Sequence, residues 1–120
     1  MLRLQGTGLN NTVRVGINMA GSFPNSTLQI SGSFSLPIVT TTAFLTLTEL
    51  NFTVILGGNH NISLPSASLC NGRMYIIKNP TTNTPSISAY NNISGGSTST
   101  IAANSVIWLQ SINNQWEQIN

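Results

Sequence analysis

Hydrophobic and polar residues alternate along most of this chain with period two, and no window of helical length carries a 3.6-residue repeat. The clearest run is Phe44-Leu45-Thr46-Leu47-Thr48, in which Leu45 and Leu47 face one way while Thr46 and Thr48 face the other. Similar short runs, β-branched or aromatic, predict strands at Val13–Ile17, Leu28–Ser31, Phe52–Leu56, Asn61–Leu64 and Met74–Lys78. The same signal recurs at Ser86–Ala89, Ser99–Ala102, Val106–Ser111 and Trp116–Ile119. Met74-Tyr75-Ile76-Ile77 is apolar on both faces, which predicts an interior strand.

Turn residues divide these runs. Gly57-Gly58-Asn59, Asn71-Gly72, Gly95-Gly96 and Asn113-Asn114 supply the positive-φ positions that tight connections need. Pro65, Pro80 and Pro85 fall at strand ends, where a missing N–H breaks no ladder. The spacing predicts an all-β fold whose head, residues 37–120, is a compact antiparallel β-sandwich or a barrel-like sheet. Residues 1–36 differ. Gly6, Gly8, Gly16, Gly21 and Gly32 interrupt brief strands there, with too few apolar residues to bury a core alone. Two readings stand for this segment: an extended, shaft-like piece stabilised by copies of itself, or a flexible arm. Pro37 is the expected junction with the head.

Composition narrows the chemistry. Glu49 and Glu117 are the only acidic residues and Arg3, Arg14, Arg73 and Lys78 the only basic ones, while Asn, Ser and Thr together fill 45 positions. Solubility through amides and hydroxyls instead of charge suits a rigid extracellular or virion-borne β-structure better than a cytoplasmic enzyme. A net charge of +2 spread over scattered cations gives no phosphate-tracking stripe, so nucleic acid is not an expected partner. The amino terminus has no apolar stretch of signal-peptide length and no run of 18 apolar residues occurs, so neither classical secretion nor membrane insertion is expected. Cys70 has no partner for an intramolecular disulfide and is expected to be a small buried residue.

The order of certain motifs adds a family. Ile62-Ser63-Leu64-Pro65-Ser66-Ala67, then Gly72-Arg73-Met74-Tyr75-Ile76-Ile77-Lys78-Asn79 and later Trp116, resembles the distal modules of bacteriophage tail fibres and virion spikes. Val15-Gly16-Ile17, Pro24 and Leu28-Gln29-Ile30-Ser31-Gly32-Ser33 are similar to the shaft segment that precedes such modules. The resemblance implies a homotrimer, an intertwined shaft and a head that contacts the host surface. It implies no catalytic signature. The chain departs from the family pattern in lacking repeated shaft units and in carrying Asn51-Phe52-Thr53 where an acidic residue before the aromatic is expected. Its length fits a short spike seated directly on a capsid or tail.

His60 on a threefold axis would bring three imidazoles together, but without supporting ligands an ordinary turn residue is the expectation, and no metal or other cofactor is predicted. A glycosidase needs two carboxylates flanking a bond, and nothing brings Glu49 and Glu117 together; no Asp exists to orient His60 for serine or cysteine catalysis. The chain is accordingly not expected to be an enzyme. Arg73 is expected to pair or cap an edge, and Lys78 to reach water. Tyr90-Asn91-Asn92 is the best receptor candidate, since an aromatic flanked by amides stacks on a sugar and bonds its hydroxyls; the competing reading is an Asn-rich turn with Tyr90 covering the core. Leu45, Leu47, Tyr75, Ile77, Trp108 and Trp116 are expected to pack the core or the trimer contacts. Five Asn-x-Ser/Thr sequons follow from the composition and carry no glycosylation argument.

These expectations converge on a trimeric spike or fibre at the virion surface. Its N-terminal segment would be held by a capsid, penton or tail protein, and its head presented to a host-surface glycan or protein. The alternative is a non-adhesive capsid decoration or vertex-stabilising protein.

Overall fold

The computed structural model describes residues 2–7 and 12–120. The chain divides into two units, residues 1–35 and 36–120, one residue before the division read from the sequence.

The N-terminal unit is a small three-stranded sheet. β1 (Leu2–Thr7) pairs antiparallel with β2 (Thr12–Ile17), and β3 (Leu28–Ile30) adds to β2 in parallel. Between β2 and β3 the chain turns through Asn18, Ala20 and Gly21, all at positive φ. Pro24 packs under Gly16, where an added Cβ would lie 2.7 Å from the Pro24 Cγ, and its carbonyl accepts from Arg14 Nη1 at 3.0 Å. The strand β1 is absent from the sequence reading because glycine at positions 6 and 8 masks the Leu2/Leu4 alternation.

The head is one nearly closed, barrel-like sheet. Its strands are β4 (Ile38–Thr41), β5 (Leu45–Thr46), β6 (Thr53–Leu56), β7 (Ile62–Ser63), β8 (Met74–Asn79), β9 (Ser86–Asn91), β10 (Ser97–Thr100), β11 (Ser105–Ile112) and β12 (Gln115–Gln118). They are ordered β4-β6-β8-β11-β12-β9-β7-β5, with β10 branching from β9. The expected antiparallel arrangement is corrected here. β4, β6 and β8 form one parallel ladder and β5, β7 and β9 another. The chain alternates between them, so β5 is the crossover from β4 to β6 and β7 the crossover from β6 to β8, which makes ladder neighbours parallel. The antiparallel strands β11 and β12 bridge the far ends: β11 pairs with β8, and β12 touches β9 through Glu117 and Asn91. At the near ends, Thr41 Oγ1 bonds His60 Nε2 and the Thr41 carbonyl accepts from the Gly57 N–H at 2.8 Å.

Alternation sorts the side chains. Val54, Leu56, Tyr75, Ile77, Ile107, Leu109 and Trp116 point inward with Leu47, Ile62, Ile87 and Ile101, and Leu45 packs against them half-buried. Trp108 is the exception among the expected core residues. With Ile107 and Leu109 committed inward, period two turns its indole out, leaving it 40% exposed. Buried polar atoms are satisfied: among the described residues no buried side-chain N or O lacks a partner. Asn79 Nδ2 donates to the carbonyls of Asn83 (2.8 Å) and Ala102 (2.9 Å), while its Oδ1 accepts from the Thr81 N–H (3.1 Å) and hydroxyl (2.8 Å). Ser111 ties the Asn71-Gly72 turn to β11, donating to the Cys70 carbonyl and accepting from the Arg73 N–H at 3.0 Å. Cys70 is a free, buried thiol bonded to the Ser66 carbonyl at 3.3 Å.

Candidate functional site

Where β9 ends, its backbone lies between the start of β10 and the start of β12. Ser97 pairs with Asn91 across one side, and Glu117 pairs with Asn91 across the other. The hairpin of Asn113 and Asn114 joins β11 to β12, with Asn113 at φ 54° and its N–H fixed by Asn71 Oδ1 at 2.9 Å. These elements leave a cleft of about 230 Å³ lined by Ala89, Tyr90, Asn91, Ser97, Asn114, Gln115 and Trp116. The polar side chains lining it are the amides of Asn91, Asn114 and Gln115 and the Ser97 hydroxyl, with the Tyr90 hydroxyl and Trp116 N–H tied to backbone carbonyls, and no charged residue lines it.

The cleft is partly pre-organised. Asn91 Nδ2 donates to Glu117 Oε1 at 2.6 Å and to Gln115 Oε1 at 3.1 Å, which fixes both amide planes and leaves the Asn91 Oδ1 and the Gln115 NH₂ as an acceptor and a donor. Such paired donors and acceptors match vicinal hydroxyls of a neutral ligand.

The predicted receptor residues are separated by this geometry. Tyr90 is only 6% exposed and its hydroxyl donates to the Thr100 carbonyl at 3.0 Å; burial raises its pKa. The ring covers the core and is no stacking platform, which corrects its assignment as a receptor contact. Asn92 builds the turn: its Oδ1 accepts from the N–H groups of Ser94 (3.0 Å) and Gly96 (3.1 Å). Of the three, Tyr90 and Asn91 line the cleft, and Asn91 alone offers it a side-chain amide. Asn114, Gln115 and Ser97 were missed because Asn-Asn reads as a turn, and only the β12–β9 pairing brings it beside β9.

The other candidates fall elsewhere. His60 is half-buried and bonded to Thr41. Glu49 lies in the turn after β5, near Arg73 and Tyr75, whereas Glu117 is held by Asn91, so the two carboxylates have different surroundings. The Tyr75 hydroxyl beside Arg73 raises the pKa of the guanidinium above its ordinary value. Lys78 is exposed on β8. Among the described residues no three His, Cys, Asp or Glu side chains come together, and no helix is long and apolar enough to cross a membrane.

Compared with protein-family models, with curated proteins and with solved structures, the chain matches none.

Proposed function

We propose that this chain is a virion structural protein, a homotrimeric spike or fibre that attaches the particle to a host-surface glycan through its head. The observation that supports attachment is the uncharged amide cleft of Asn91, Ser97, Asn114 and Gln115 on a β-head with few charges. Each neutral hydrogen bond to a sugar hydroxyl contributes about 1 kcal/mol net, so a single cleft binds weakly. Three copies on one spike raise the avidity well above that of one. The N-terminal unit is the part held by a capsid, penton or tail protein, and no catalysis is involved.

A neutral oligosaccharide array probed with the full chain tests this reading. Binding that is lost in Asn114→Ala and Gln115→Ala, with the fold intact by circular dichroism, is the expected result. Absence of binding to any neutral glycan, together with failure of the free protein to compete with particles for host cells, overturns it.

A second reading has its own support. The N-terminal unit carries an apolar groove of Leu28, Ile30 and Phe34 around Gly32, the kind of surface a capsid contact would cover. A decoration or vertex-stabilising protein would use that groove and not the amide cleft. Particles lacking the chain would then adsorb normally but lose resistance to heat.

A further inference from the structure

One face of the head remains unaccounted for by the amide cleft. The outer surface of β4, β6, β8, β11 and β12 carries a row of residues aligned by strand register: Ile38, Thr53, Ile76, Trp108 and Ile119. Ile38 pairs with Thr53, Thr53 with Ile76 and Ile76 with Trp108, and the Ile119 N–H bonds the Trp108 carbonyl at 2.9 Å. Val106 and Gln110 flank Trp108 on the same side of β11, with Ile112 beyond Gln110, because residues two apart share a face. On soluble sheets this outward row is ordinarily polar.

We propose that this face is the surface through which copies of this chain meet. The inference rests on the self-assembling reading above and assigns it a location. Three arguments favour a second copy as the occupant. The first is area. Ile38 is 67% exposed, Ile112 53%, Ile119 44%, Val106 41% and Trp108 40%. At about 200 Å² for a large apolar side chain, the four on β11 and just after β12, which can face one partner together, leave roughly 350 Å² open. A stable interface buries about 800 Å² per partner, of which some 60% is apolar, so these four supply most of the apolar area that one such contact needs, with Ile38 farther round the sheet.

The second argument is charge. In a chain with so few charges, Lys78 and Glu117 both point to this side, on opposite sides of the central row. Lys78 pairs with Val106, and Glu117 pairs with Gln110. A copy laid antiparallel across the row brings its Lys78 to the same side of the row as Glu117 of the other copy. The third is shape. A cleft of about 390 Å³ is lined by Asn71, Gly72, Gln110, Ser111, Ile112, Glu117 and Ile119, and Trp108 lies next to Gln110 on the same face of β11. One copy thus supplies both a large aromatic knob and a recess with apolar walls, and buried Trp is a frequent anchor of interfaces.

The test is the mass of the full-length chain in solution, by sedimentation and light scattering, for wild type, Trp108→Glu and Ile112→Glu. A variant at an outward position should retain its circular dichroism spectrum. The expected result is a wild-type mass that is a multiple of 12.8 kDa, and variants whose assembly is weakened by about 30-fold or more in dissociation constant. Trp108 emission should shift to the blue as the wild type assembles, against the constant contribution of buried Trp116. Should Trp108→Glu fail to fold, Ile112→Glu reads the same surface. A wild type that stays monomeric at its highest soluble concentration overturns the proposal, whatever other protein the face then binds. An oligomer whose mass both variants leave unchanged also overturns it, while leaving self-assembly and glycan attachment standing.

Discussion

The rings of Tyr75 and Trp116 lie 5.2 Å apart, tilted by 31°, and each ring also carries a polar tether. Tyr75 Oη donates to the Thr48 carbonyl at 2.8 Å and Trp116 Nε1 to the Pro65 carbonyl at 2.9 Å. The pair joins β8 to β12 through the core and pins the two loops that lead from β5 to β6 and from β7 to β8. Trp116→Ala should cost about 3–5 kcal/mol in urea denaturation, since it opens a large cavity and frees the Pro65 carbonyl. Tyr75→Phe, which keeps the ring and loses one hydrogen bond, should cost about 1 kcal/mol.

Asn79 is fully buried and hydrogen-bonds two segments at once, the loop of Thr81 and Asn83 and the stretch at Ala102. Replacing it with Leu preserves volume but leaves two carbonyls and the Thr81 groups without their partner. A loss of about 3 kcal/mol is expected, measured by denaturant midpoint at unchanged m-value.

Gly57 approaches β4 so closely that an added Cβ would sit 2.6 Å from the Thr41 carbonyl oxygen. The obstacle is backbone, so it cannot swing aside. Gly57→Ala should destabilise the head by about 1–3 kcal/mol, and hydrogen exchange should show the opening concentrated at Thr41 and its neighbours on β6.

Burial raises the pKa of both Tyr75 and Tyr90 above the ordinary value of 10.0. A phenol whose folded pKa is raised keeps its proton longer in the native state than in the unfolded one. Its contribution is therefore complete below about pH 10 and is lost as the pH rises from the unfolded toward the folded value. Stability measured by denaturation should be flat with respect to these groups up to about pH 9 and fall above about pH 10. Tyr90→Phe should flatten part of that alkaline fall.

What the sequence disclosed was local. The strand from Met74 to Lys78 and the turns at Asn71-Gly72 and Asn113-Asn114 were readable because alternation and positive-φ residues act over a few positions. The run Ile38-Val39-Thr40-Thr41 carries the same β-branched signal, but Pro37 before it reads as a junction. The parallel ladders were not readable, since Thr53 pairs with Ile38 and Ile76 across long stretches of chain, and no local pattern encodes that choice. The candidate site suffered likewise. Tyr90 looked like a tip residue among amides, whereas its strand position turns it into the core. Trp108 looked like core, though its buried neighbours at 107 and 109 already required it to face outward.

The interleaving of the two ladders also sets the order in which the head can form. β4 and β5 are made first, yet the sheet circuit closes only when β12 reaches β9. During synthesis both ladders remain open at their far ends until β11 and β12 have emerged. The head is thus expected to close late and slowly, as its long-range pairings imply. Nascent copies crowded on one message would expose their strand edges to each other before that closure, so folding yield should depend on how fast the final hairpin is delivered.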